Sequence, residues 1–407
     1  MYQAVATLVL WIVAINSLWG FDWPQFLGPT RNGVYSGLDL ADSWPKGTPV
    51  RVWEKEVGEG LAGPVVAGGR VIIFHRRGDR EIVEAVEVGT GETLWKYGYP
   101  TSYRDDFGFD EGPRAVPVVV DGYVYTFGAQ GVLNAIDLET GEKIWSENTH
   151  LRFRVRKGFF GATSSPLVED GRVLVNVGGV DAGIVAFNAQ TGKVLWTSTG
   201  DEASYSSPVG ATFSGRRYAV FFTRNGLVAV DPTTGKVFFK LDWKSRLRAS
   251  VNGVTPLIIE DLIFLSATYG TGAVVLRVDG TELFKLWASD EVLSNHYATS
   301  AYFDGNLYGF HGRQEYTPSF RAIELKTGKV LWSEDGFRAG TVTLAGNRLV
   351  ILKETGELVL AEASAAQFRP IARAQVLSAI TRAYPALANG YLYARDEDIL
   401  VCLDLRK

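Results

Sequence analysis

The chain has 407 residues, with 41 Lys and Arg against 45 Asp and Glu, a formal net charge of −4. That balance argues against a nucleic-acid binder, which carries a basic excess, and 46% apolar residues exclude a disordered chain. One cysteine, Cys402, and four scattered histidines exclude an internal disulfide and Cys-rich zinc or iron–sulfur sites.

In chain order, residues 1–20 (MYQAVATLVLWIVAINSLWG) hold an uncharged apolar run from Ala4 to Ile15. Its length of about 12 residues suits the core of a signal peptide and is short for a bilayer span. Residues 1–20 are therefore read as a signal peptide, and the protein as exported, periplasmic or extracellular. No other stretch approaches a membrane helix. Residues 21–44 are read as a segment packed on the domain that follows. No Pro/Ser-rich linker interrupts residues 45–407, which are read as one domain.

A phrase then recurs. It runs AIDLETGEKIW (135–145), AFNAQTGKVLW (186–196), AVDPTTGKVFF (229–239) and AIELKTGKVLW (322–332), with VEVGTGETLW (86–95) before them. Degenerate copies are RVDGTELFKLW (277–287) and LKETGELVLAEA (352–363). Each reads as strand, turn, strand. Asp or Asn opens the turn, Gly supplies a positive φ, and Trp fills the space between stacked sheets. A second phrase, such as SPLVEDGRVLVNVG (165–178), occurs eight times as strand, Gly-containing turn, strand. Repeats of roughly 40–50 residues with four short strands are the pattern of a β-propeller.

The fold class is therefore all-β, an eight-bladed β-propeller, or seven blades if the weak copy at 352–363 is misread. The last blade lacks an outer strand. VRVWEKE (50–56) stands alone before the first repeat and is predicted to pair with ILVCLDL (399–405), closing the ring and removing exposed edges.

The recurring ALD-x-x-TG-K-x-L-W pattern resembles the PQQ-like β-propeller repeat family, and Asp22–Pro29 (DWPQFLGP) resembles the opening of its secreted subgroup. The layout is also similar to the propeller lipoprotein of the outer-membrane barrel-assembly machinery, without the lipidated cysteine. The resemblance implies either a quinoprotein alcohol or sugar dehydrogenase using PQQ with calcium, or an assembly scaffold. The adjacent cysteine pair and calcium set of the quinoproteins find no match here, so no cofactor or metal is predicted. The chain is read as a non-catalytic binding or scaffolding module, with a protein partner or a glycan or anionic small ligand, no nucleic acid, and a monomeric state.

Aligning the eight copies of the second phrase brings Leu61, Arg114, Thr163, Tyr205, Gly253, Tyr297, Arg338 and Arg382 to one height around the axis, beside Asn252, His296 and Tyr384. Arg114, Tyr205, Asn252, His296, Tyr297, Arg338, Arg382 and Tyr384 are the candidate funnel-rim residues. Three guanidiniums at one height would hold an anionic or polyhydroxylated ligand. Alternatively, each pairs with a local acid such as Asp106, Asp110, Glu111, Glu334 or Asp335. The alternation in Arg152–Lys157 is read as a half-buried strand, and the acids of Tyr103–Glu111 as loop caps.

Overall fold

The structure is a computed structural model that describes residues 21–37, 40–44, 47–247 and 249–406; the signal-peptide reading of residues 1–20 lies outside them. Eight sheets, each with four antiparallel strands, form an eight-bladed propeller. The inner strands of blades 1 to 8 are Val65–Ala67, Val118–Val120, Leu167–Glu169, Val209–Phe213, Leu257–Ile259, Ala301–Phe303, Gly340–Ala345 and Ala386–Ala388. The matching outer strands are Thr93–Pro100, Lys143–Asn148, Val194–Ser198, Val237–Asp242, Glu282–Ser289, Val330–Glu334, Arg369–Gln375 and Val50–Glu56. The middle strands are apolar on both faces because each sheet is packed between two others. Ile263, Phe264 and Leu265 of blade 5, for example, are all fully buried.

The turn in the first phrase forms as its residues require. The Asp137 carboxylate accepts the backbone N–H groups of Glu139 (2.9 Å) and Thr140 (2.8 Å), and Gly141 follows at φ 74°. The glycine also has a second reason to be there. Trp95 of blade 1 lies against Gly141 of blade 2, where a Cβ would stand 2.6 Å from the indole. The Trp95 Nε1–H donates to Leu138 O at 2.9 Å. The same lock joins Trp53 to Gly91, Trp145 to Gly192, Trp196 to Gly235 and Trp287 to Gly328, with indole hydrogen bonds to Val88, Ala189, Pro232 and Leu325. In five of the eight blades the Trp thus seats on the next blade's turn.

Ring closure follows the same logic. Val50–Glu56 pairs antiparallel with Ile399–Asp404, placing Trp53 opposite Cys402. The first strand of the ring thereby completes its last blade, and Trp53 continues the lock into blade 1. Beside it, Lys55 reaches the buried Glu84 carboxylate at 3.2 Å and Thr93 at 3.0 Å.

Residues 22–35 run as a hairpin through the ring. Trp23 exchanges two backbone hydrogen bonds with Val66 of blade 1, and Pro24 O accepts from Val119 N of blade 2. The chain turns at Leu27–Arg31 and comes back, with Val34–Tyr35 pairing parallel to the inner strand of blade 7. The Tyr35 Oη then accepts from Gly390 N of blade 8 at 2.7 Å. At the turn, the fully buried Arg31 guanidinium donates to Pro166 O and to Pro208 O (2.9 Å), on blades 3 and 4. Its Nε donates to Gln25 (2.8 Å).

The strand expected at Arg152–Lys157 does not form. Thr149–Arg152 is a single helical turn capped by the Asn148 side chain, and residues 153–157 continue as an irregular loop. Arg154 sits at φ 53°, and Val155 N bonds back to His150 O. This stretch has to cross from the outer strand of blade 2 to the inner strand of blade 3, so no sheet edge is available to pair with it.

Candidate functional site

The loops that lead into the inner strands converge on one face of the ring and enclose a cavity of about 250 Å³. Seven of the eight aligned positions line it: Leu61, Arg114, Thr163, Tyr205, Gly253, Tyr297 and Arg382. His296 and Tyr384 line it as well. Phe26, from the axial hairpin, packs edge-on against Tyr384 at 4.9 Å, so the hairpin contributes to the cavity wall.

Arg338 and Asn252 do not join them. Arg338 takes a left-handed φ of 72° in the short link between blades 6 and 7 and is exposed. Asn252 is buried behind the wall. Its amide donates to Thr223 O at 2.9 Å, and its backbone carbonyl accepts from Tyr205 N at 3.1 Å, which fixes Tyr205.

The two remaining arginines are paired, with acids other than those the sequence suggested. The Arg114 Nη2 donates to Asp105 at 3.0 Å and to Asp110 O at 2.9 Å, and its Nη1 donates to Phe160 O at 3.1 Å and Tyr103 Oη at 3.3 Å. Asp105 also caps its loop by accepting from the backbone N–H groups of Phe107, Phe109 and Asp110. Burial would raise this carboxyl, but those N–H groups and Arg114 outweigh it and hold it low. The Arg382 Nε donates to Glu354 at 3.0 Å, and the Tyr297 hydroxyl donates to the same oxygen at 2.7 Å. Burial, with Glu354 beside it, pushes the Tyr297 phenol far up. The two terminal nitrogens of Arg382 meet no hydrogen-bond partner among the described residues and remain available to a ligand.

His296 accepts from Gln314 N at Nδ1 (3.5 Å) and sits 2.8 Å from the Tyr269 hydroxyl at Nε2. An accepting Nδ1 places the proton on Nε2. Burial pulls this histidine down to about 4, so it is neutral over the physiological range. At the rim, Glu315 pairs with Arg313 at 2.9 Å, and Arg313 lies over the Tyr269 ring at 4.5 Å. The cavity thus has aromatic walls, each cation matched by a carboxylate, and both donors and acceptors on its surface.

Several of these groups escaped the sequence reading. Tyr269, Gln314, Glu315 and Glu354 lie between the second and third strands of their blades, whereas the alignment followed only the entries to the first. Phe109 and Phe160 lie in loops without repeat phasing. Glu354 was in view, within the weakest copy of the repeat.

The profile described as outer membrane protein assembly factor BamB matches residues 44–149 and 78–333. The chain belongs to this family. The quinohemoprotein alcohol dehydrogenase ADH-IIG of Pseudomonas putida is 33% identical over 142 residues, which is 33% of this chain and 19% of the enzyme. The BamB of Moranella endobia is 26% identical over 257 residues, 61% of this chain and 58% of that protein. The matched stretches therefore span about a fifth of that dehydrogenase and somewhat over half of that BamB. Among solved structures, the quinohemoprotein alcohol dehydrogenase of Comamonas testosteroni superposes with a TM-score of 0.68 at 16% identity, covering 95% of this chain and 81% of that one. BamB from Moraxella catarrhalis gives 0.62 at 16% identity, covering 87% and 96%. These two superpositions establish the propeller fold and nothing more specific.

The residues do not suit a calcium-bound quinone. Among those described, no three His, Cys, Asp or Glu side chains are grouped to hold a cation. The two carboxylates nearest the cavity arginines, Asp105 and Glu354, are committed to those arginines. Cys402 is buried in the core of blade 8, opposite Trp53. No described helix is long and apolar enough to cross a membrane.

Proposed function

We propose that the protein is an exported, non-catalytic propeller that binds a small polyhydroxylated ligand, a sugar ring, in the funnel cavity. One observation carries this: aromatic walls surround polar groups whose charges cancel. Arg114 with Asp105, Arg382 with Glu354 and Arg313 with Glu315 leave little field for an anion. Hydroxyl groups both donate and accept, and the free Arg382 N–H groups, Gln314 and the Glu315 carboxylate, all on the cavity lining, supply both complements. The C–H faces of a pyranose stack on rings such as Phe26, Tyr205 and Tyr384. A cavity of about 250 Å³ falls just below the usual range for drug-sized ligands, which suits one or two sugar rings.

Calorimetric titration with neutral mono- and disaccharides, glucuronate, and PQQ with calcium tests the reading. Saturable heat is expected with a neutral sugar, with a Kd raised about tenfold in Arg382→Ala, since a hydrogen bond to a charged group contributes about 1.5–3 kcal/mol. Stoichiometric PQQ binding with dye reduction would establish the dehydrogenase chemistry named for the enzyme relatives instead. Heat with glucuronate alone would return the site to an anion.

A further inference from the structure

Two loops stand beside the cavity mouth on the same face of the ring. One links blades 1 and 2 and the other links blades 2 and 3. Their rings interlock: Phe107 lies 6.0 Å from Phe109, 5.8 Å from Phe159 and 5.5 Å from Phe160. Even so, Phe107 is 52% exposed, and Leu151, on the second loop, is 78% exposed. Phe109 beside Phe107 is 55% exposed, so two stacked rings stand half in solvent at one spot, more than the single scattered apolar residues of an ordinary surface.

The second loop also carries Arg152, Arg154, Arg156 and Lys157. Arg152 pairs with Glu147, and Lys157 pairs with Asp106. Arg154 and Arg156 are exposed and have no ionic partner among the described residues. In a chain of net charge −4, two guanidiniums without an ionic partner on the loop that also carries Leu151 and Phe159 form a local exception.

We propose that these loop tips dock on an anionic lipid surface. Phe107 and Leu151 enter the headgroup region while Arg154 and Arg156 meet lipid phosphates. Aromatic side chains favour that interface because one layer there is apolar and the next is wet. Basic residues near an anionic leaflet each strengthen attachment by about fivefold. A projecting tip enters a deformable surface without needing a complementary groove. The net negative remainder of the chain is repelled by the same surface, so the attraction orients the molecule with this face, and with it the cavity mouth, toward the lipid.

Co-sedimentation of the purified protein with phosphatidylcholine vesicles, with and without phosphatidylglycerol, tests this at low and high salt. Binding is expected on the phosphatidylglycerol vesicles, falling as salt rises. Arg154→Glu combined with Arg156→Glu is expected to weaken it by roughly 25-fold or more. Phe107→Ser combined with Leu151→Ser should weaken it severalfold, with only a small fall in melting temperature from the ring contacts Phe107 gives up. Failure to sediment, equal binding to both vesicle types, or wild-type binding by both double variants would overturn the proposal. So would tighter binding to a polyglutamate peptide than to the vesicles, which would assign the tip to an acidic polypeptide.

Discussion

Gly192 and Gly215 separate two demands that the sequence merges into one letter. Both adopt left-handed backbone, at φ 69° and 76°. A Cβ on Gly192 would stand 2.7 Å from the Trp145 ring, whereas one on Gly215 meets nothing within 4 Å. Gly215→Ala should therefore cost about 1 kcal/mol, the left-handed penalty alone. Gly192→Ala adds overpacking against the indole and should cost about 2–4 kcal/mol. Urea denaturation of the two variants measures the difference; equal losses would mean that the Trp lock contributes nothing beyond the turn. The repeated Thr-Gly phrase marked the turn in the sequence. It did not reveal the second constraint, because the Trp that imposes it belongs to the preceding blade, 38 to 47 residues earlier in the chain.

The axial hairpin was legible only as a segment that packs somewhere on the ring. Its course depends on Arg31, a residue with no repeat around it. The inner strands of blades 3 and 4 are each preceded by a proline whose carbonyl meets Arg31, and Arg31 satisfies both while bonding Gln25 of its own hairpin. Burial lowers its guanidinium to about 9, so it remains protonated at neutral pH. Arg31→Met leaves two buried carbonyls without donors and is expected to destabilise the fold by about 2–4 kcal/mol. Arg31→Lys should recover only part of this, because one ammonium cannot reproduce a forked guanidinium. Chemical denaturation reads both; an unchanged midpoint for Arg31→Met would show that water replaces the side chain. By contrast, the strands and the closing of the ring were plain in the sequence. The strand–turn–strand phrase repeats eight times, and a closed ring requires Val50–Glu56 to complete the blade that lacks an outer strand. The cavity was half legible for a related reason. Positions phased with the inner strands could be aligned, while Tyr269, Gln314 and Glu354 came from loops that the phasing did not reach.

A ring of interlocked blades shares its stability, so titrating groups in separate blades act on one unfolding equilibrium. His150, His296 and His311 are each pulled down to about 4 by burial. The unfolded imidazoles take up protons as pH falls through about 6.5, and the folded ones do so only near 4. Their contribution is complete above pH 6.5 and is lost progressively between 6.5 and 4. Glu84 behaves as a second stage. Burial alone would raise it, but His75, Thr93 and Lys55 outweigh that and hold it at about 2. Its contribution is present above about 4.5 and disappears as pH falls toward 2. Unfolding free energy measured by urea from pH 7.5 to about 2.5 should therefore fall in two consecutive windows. His311→Gln should make the first window shallower by roughly a third, since His150 and His296 still titrate in it, and leave the second. Glu84→Gln should lower stability at neutral pH, because it breaks the contact between the closing strand and blade 1, and should flatten the second window. A profile level from 6.5 to 4 would mean that the histidines ionise inside the folded ring. That would require the ring to open locally at their loops, contrary to the packing that buries them.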